Sequence, residues 1–164
     1  MIQNSKPIVI SACLAGYKTK YDGGHNEDTR LRRLVEQKKA VVVCPESSAG
    51  LPIPRVPSEI VGGDGTDVLN GKAKVLSREG EDVTQEFLQG AQKTLQLVQK
   101  AGASVVILKE RSPSCGVTTI YDGSFSRSKK PGLGVTAALL RQHGITLYTE
   151  EDCEDFLRSI EEKG

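Results

Sequence analysis

The chain has 164 residues, a near balance of 22 Lys plus Arg against 21 Asp plus Glu, and four cysteines. That length can bury a core without disulfide staples, and a net charge of +1 excludes a broad electrostatic footprint for nucleic acid or anionic membrane. The opening "MIQNSKPIVISACLAG" holds too short an apolar stretch for a secretory segment, and no run reaches membrane-spanning length. The expectation is a single cytoplasmic domain over 1–164. In a reducing compartment its cysteines suit metal binding or catalysis better than disulfides.

The first apolar run, "PIVISA" (7–12), reads as a strand and leads into Cys13. Beyond it, Asn26 offers an N-cap for a helix whose apolar face is Leu31, Leu34 and Val35. "AVVVC" (40–44) is a second strand and ends on Cys44. Residues 50 to 83 are rich in Gly and Pro. Within them "GGDGTDVL" (62–69) fits one copy of a calcium-binding nonapeptide, which needs tandem copies to work and is read here as a loop. The pair Asn70-Gly71 predicts a tight hairpin turn.

Phe87, Ala91, Leu95, Val98 and Ala101 then mark a longer helix closed by Gly102. "SVVILK" (104–109) is a third strand, continuous enough in apolar residues to be covered on both faces. Pro113 and Gly116 break regular structure after it and place Cys115 on a loop. Residues 117 to 131 predict a second hairpin turning at Asp122-Gly123, and their basic run "SRSKK" (126–130) reads as solvated. Val135, Ala138 and Leu139 give a third helix before Gly144, and "ITLYT" (145–149) gives a fourth strand. Thr149 and Asp152 have capping-box spacing. Cys153, Phe156, Leu157 and Ile160 then follow at i, i+3, i+4 and i+7, so Cys153 is expected to be packing. Strands alternating with helices predict the α/β class: a Rossmann-like parallel sheet with flanking helices and two hairpin insertions.

No Cys-x-x-Cys pair occurs, so zinc-ribbon and thioredoxin readings lack local support. The topology is more informative. Cys13, Cys44 and Cys115 each follow a strand of the predicted parallel sheet, which puts all three at its carboxyl edge, where open α/β folds place their ligands. Three thiolates suit a soft metal. A structural zinc would ordinarily take a fourth protein ligand, and the two histidines are poor candidates, His143 ending a helix and His25 lying in a Gly-rich loop. An iron–sulfur cluster on three cysteines would keep one iron open as a Lewis acid.

The segments "VISACLAG", "YDGG", "CPESSAGLPIPRVPSE", "LKERSPSCG", "IYDGSF" and "GLGVTAALL", in this order, resemble the bacterial 2-thiouracil desulfidase family from about Ile8 to Glu151. Lys20 stands where that family usually has arginine. The resemblance implies a [4Fe–4S] cluster on Cys13, Cys44 and Cys115. Its open iron would take the sulfur of a thiolated nucleobase, and a non-redox attack of water would turn 2-thiouracil into uracil and hydrosulfide. It assigns Glu46 to the proton of that water. Ser112 is the candidate for relaying a proton or holding substrate, with Ser114 as its local competitor. Asp22, Arg55 and Glu59 lie on the same loops as further candidates or as braces. A small-molecule thiolated base, with no membrane or nucleic-acid partner, is the expected ligand. The alternatives are a desulfidase for 4-thiouracil or thiouridine derivatives, a structural metal or cluster protein without catalysis, and a metal-free cysteine nucleophile, which lacks a neighbouring His.

Overall fold

Four short runs rich in β-branched residues form the central sheet of the protein, whose computed structural model describes residues 7–163. Residues 1–6, on which part of the leader expectation falls, lie outside the described residues. The strands β1 (Ile8–Ser11), β2 (Ala40–Val43), β5 (Val105–Leu108) and β8 (Thr146–Thr149) are all parallel, in the order β2-β1-β5-β8. Val9 pairs with Val41 on one side and Val106 on the other, and Ile107 pairs with Tyr148. All four are the strands expected from the apolar runs.

Side chains alternate between the sheet faces with the period of two that a strand imposes. On one face Val9, Val43, Val106 and Leu108 meet α4 (Thr84–Ala101) and α5 (Val135–Gln142) through Phe87, Ala91, Leu95, Val98, Val135 and Leu139. On the other, Ile8, Ile10 and Ile107 meet Leu31 and Leu34 of α1 (Thr29–Glu36), Leu157 of α6 (Glu154–Lys163), and Cys153. Each such side chain removed from water contributes about 1.5–3 kcal/mol. No described helix is long and apolar enough to cross a membrane.

The chain leaves β1 outward to β2 and then returns to β5 on the opposite side of β1. The winding reverses between β1 and β5, and that reversal opens a crevice at the carboxyl ends of those two strands. Cys13 follows one of them and Cys115 the other.

The insertions differ from expectation in their turns. Strands β3 (Ser58–Val61) and β4 (Lys74–Ser77) do pair antiparallel, but a helix joins them, α3 (Gly65–Leu69). The segment read as a loop at 62–69 therefore carries a helix. Asp64 accepts the N–H groups of Thr66 and Asp67, Asp67 returns a bond to the Asp64 N–H, and this reciprocal cap starts the helix. Asn70-Gly71 ends it instead of turning a hairpin: Gly71 donates to Val68, Lys72 donates to Asp67, and Gly71 takes φ +76°. That is a Schellman closure. The second insertion is a hairpin of β6 (Thr119–Tyr121) and β7 (Lys129–Pro131). Its connection is a wide loop closed by Asp122 N–H on Ser128, not a tight Asp-Gly turn.

Two helix starts also move. Asp28, not Asn26, caps α1, accepting the Arg30 N–H at 3.0 Å. Asn26 is occupied elsewhere, its N–H on the Cys13 carbonyl and its amide on the Cys13 sulfur. Thr149 N–H donates to the Asp152 carboxylate and the Thr149 hydroxyl accepts the Glu151 N–H, but these bonds close a turn at the end of β8, and the last helix begins at Glu154.

Candidate active site at the carboxyl edge of the sheet

Cys13 lies in a single 3-10 turn, Ala12–Ala15, directly after β1. Cys44 is the N-cap of α2 (Pro45–Ser48), whose first turn presents Glu46. Proline suits that first helical position because its missing N–H would have no partner there. Gly90 of α4 seats this short helix: a β-carbon on Gly90 would lie 2.2 Å from the Pro45 carbonyl oxygen.

The Cys115 loop is fastened at both ends. At one, Glu110 is 2% exposed, and its carboxylate accepts the N–H groups of Val117, Thr118 and Thr119 and the Thr118 hydroxyl. Burial works against its charge, but these donors together outweigh it and hold its pKa below the usual carboxylate range. At the other, Pro113 and Ser114 give their carbonyls to the first N–H groups of α5, those of Val135, Thr136 and Ala137. These are the donors that a helix N-terminus leaves open. Gly134 permits the approach, since a β-carbon there would meet Ser114 backbone at 2.5 Å.

A continuous polar chain joins these segments. The Cys44 thiol faces the Thr19 carbonyl at 3.9 Å, and Arg55 donates to the same oxygen at 3.1 Å. Arg55, its side chain 8% exposed, pairs through Nε with Glu46 Oε1 at 3.2 Å. Ser114 Oγ lies 3.0 Å from Glu46 Oε2 and 3.6 Å from Cys115 Sγ. Burial pushes the Cys115 thiol up to about 12, opposed by the hydroxyls of Ser114 and Ser11 and reinforced by Cys44 and Glu46. Burial also raises Cys13, opposed by the Asn26 amide; Cys44 raises it further, while Lys109 acts in the opposite sense. Cys44 thus acts on both other thiols.

The remaining sequence candidates divide between site and scaffold. Arg55 contacts Glu46. Ser112 stands one hydroxyl away from it, bonded to Ser114 at 3.0 Å. Asp22 caps the Gly24 N–H, and Glu59 accepts the N–H groups of Gly123 and Phe125, so both brace loops. Cys153 is fully buried among apolar side chains, and burial raises its pKa, with the charge of Arg30 opposing. Sequence reasoning passed over Thr19, Ser11, Lys109 and Glu110. The last two stand inside the quoted "LKERSPSCG" segment, where a charged pair leaving a buried strand was the available signal.

Raised thiol pKa values are the opposite of what a free cysteine nucleophile needs. His25 accepts the Glu27 N–H, and His143 caps α5 against Leu139, so neither serves as its base. Among the described residues, no three His, Cys, Asp or Glu side chains surround a single ion position. A cluster whose thiolates bind different irons asks for wider spacing than one ion does. Among the described residues, the buried hydroxyls without a protein partner are those of Thr19, Ser47 and Thr136. Each sits on a segment of this site: Thr19 beside Cys44, Ser47 next to Glu46, and Thr136 at the α5 turn that holds Ser114.

The 2-thiouracil desulfurase family model matches residues 8–152. An uncharacterized protein of Bacillus subtilis (strain 168), YbbK, is 50% identical over 150 residues, which is 92% of this chain and 99% of that protein. The solved structure of TudS, a [4Fe–4S]-dependent thiouracil desulfidase, superposes with a TM-score of 0.83 at 37% identity, covering 95% of this chain and 98% of that one.

Proposed function

The chain belongs to the 2-thiouracil desulfurase family, and on that premise we propose that it removes sulfur from a thiolated nucleobase, 2-thiouracil in the first instance, with a [4Fe–4S] cluster on Cys13, Cys44 and Cys115. One observation carries the reading: a single run of contacts links Cys44, Arg55, Glu46, Ser114 and Cys115 at the crevice between β1 and β5. The residues suit the group. The Asn26 amide faces the Cys13 sulfur at 3.7 Å, the kind of outer contact that orients a ligating side chain. Cys153 is fully buried within the apolar cluster against which Cys13 packs.

Bound there, the cluster would supply an iron as Lewis acid for the thiocarbonyl sulfur. The chain's own residues account for the proton chemistry. Glu46 Oε1 is tied to Arg55 Nε at 3.2 Å, which orients the carboxylate as the group that takes a proton from water. Ser114 holds Oε2, so the carboxylate is fixed at both oxygens. The reaction balances without an oxidant: water gives its oxygen to the carbon, and the sulfur departs as hydrosulfide. Lys109, paired with Glu150 at 3.1 Å, keeps a cation on the Cys13 side.

Anaerobic purification followed by iron and sulfide analysis, with uracil and hydrosulfide measured from 2-thiouracil, tests the proposal. Glu46→Gln should keep its iron and lose about two orders of magnitude or more in turnover. Protein that takes up no iron under anaerobic reconstitution, or loaded protein that forms no uracil, would overturn it.

A further inference from the structure

One residue grips Cys13 twice. The Asn26 N–H donates to the Cys13 carbonyl at 2.9 Å, and the Asn26 amide Nδ2 lies 3.7 Å from Cys13 Sγ. The Gly16 N–H takes the same carbonyl at 3.2 Å. A carbonyl oxygen has two acceptor sites, so the two backbone donors fill it and leave the side-chain amide to the sulfur. An amide nitrogen carries two hydrogens and accepts nothing. Toward sulfur it can only donate, and a charged thiolate is a stronger acceptor than a thiol. The backbone holds Asn26 in place without help from the sulfur. Two residues on, the Asp28 N–H donates to the Leu14 carbonyl at 2.7 Å, and Asp28 caps α1. The other two thiols are served differently. Cys44 faces the Thr19 carbonyl at 3.9 Å, an acceptor that offers a thiolate nothing, and Cys115 faces a hydroxyl at 3.6 Å. Burial raises the Cys13 thiol. Among the groups opposing it, the Asn26 amide stands ahead of the Lys109 cation, whose charge Glu150 offsets from 3.1 Å.

We infer that the Asn26 amide tunes Cys13 as an iron ligand: by hydrogen bonding its thiolate it draws charge off the sulfur and leaves the cluster, open iron included, more electron-poor. The inference rests on the reading of Cys13 as a ligand of the cluster. Hydrogen bonds to ligand sulfurs are among the features that set the potential of an iron–sulfur centre. An electron-poor iron is the better Lewis acid for a thiocarbonyl sulfur. The desulfuration moves no net electrons, so the potential serves here as a gauge of iron charge. The helix cap passes to Asp28 because Asn26 is spent on the sulfur.

The test uses anaerobically loaded protein of parental iron content. Only the side chain changes, so the backbone bond to Cys13 stays in each variant. Asn26→Leu removes the amide without adding charge, and Asn26→Asp replaces it with an anion. In a reductive titration followed by electron paramagnetic resonance, both should show a cluster potential below the parent's, Asp lower than Leu. The iron–thiolate stretches in resonance Raman spectra should shift on exchange into D2O in the parent, and shift less in Asn26→Leu. Turnover of 2-thiouracil should fall by about tenfold to a hundredfold in both variants. Parental potentials in both, an undiminished deuterium shift in Asn26→Leu, or parental turnover at a lowered potential would overturn the inference. Undiminished iron in Cys13→Ser would instead remove the underlying reading of Cys13 as a ligand.

Discussion

Four cysteines that look alike in composition occupy different chemical settings. Cys13, Cys44 and Cys115 each follow a strand at the carboxyl edge of the parallel sheet, whereas Cys153 is one more small apolar group in the cluster with α1 and α6. Cys153→Ser should therefore keep full iron content under anaerobic reconstitution and melt lower by about 1–3 kcal/mol of stability, the cost of burying a hydroxyl on an apolar surface. Serine at 13, 44 or 115 should lose the iron absorbance. Iron analysis with thermal melts separates the two outcomes. Glu110 is a second residue with a measurable signature. Its folded pKa lies below that of a free glutamate, about 4.3. Its contribution is therefore complete above that value and declines as pH falls through the folded one. Glu110→Gln keeps an acceptor oxygen but loses the charge, and should be less stable than the parent by about 1–2 kcal/mol at pH 7. Melts taken at decreasing pH should show that gap closing.

At the scale of elements, close backbone contacts set the site. Gly90 sits in the interior of α4, where alanine would ordinarily stabilise a helix by about 1 kcal/mol. Here the added carbon would meet the Pro45 carbonyl at 2.2 Å, and α4 must shift away from α2. The sign reverses: Gly90→Ala should destabilise by about 1–3 kcal/mol and, by displacing Cys44 and Glu46 on either side of Pro45, impair iron loading as well. A variant that melts at or above the parent with full iron content would contradict this packing. Element type was largely legible in the sequence, because β-branched runs and 3.6-residue periodicity reflect burial directly. Turns were less so. Asn70-Gly71 carries the same two residues whether it turns a hairpin or closes a helix, and the Asp64–Asp67 cap three residues upstream decided which. Asn26 lost its capping role to a long-range contact with Cys13 that no local pattern encodes.

Across the whole molecule, the winding order explains why distant thiols meet. Adjacent parallel strands β2, β1 and β5 deliver residues 44, 13 and 115 to the same carboxyl edge of the sheet. That much could be inferred from strands followed by cysteines. The polar chain could not: Arg55 reaches Thr19 across 36 residues, and Ser114 reaches Glu46 across 68. Such pairings join irregular loops and a single-turn helix, too short to carry a period to read. Removal of iron tests how far the scaffold depends on its cofactor. The segments that carry the cysteines are held by hydrogen bonds that involve no metal, so chelator-treated protein should keep its far-ultraviolet circular dichroism and a single cooperative melt. A broad, non-cooperative melt would show that metal organises the fold, as it does in zinc fingers.

The fastening of the Ser-Pro-Ser-Cys segment onto the first turn of α5 has a consequence for the life of the molecule in a cell. Uncapping that helix would be the cost of letting Cys115 stray, so the docking place survives when its contents are destroyed. Loss of the cluster would then spoil a replaceable part and spare the polypeptide. Recovery would require delivery of iron and sulfide but no new translation, and activity could return on the timescale of repair instead of that of protein synthesis.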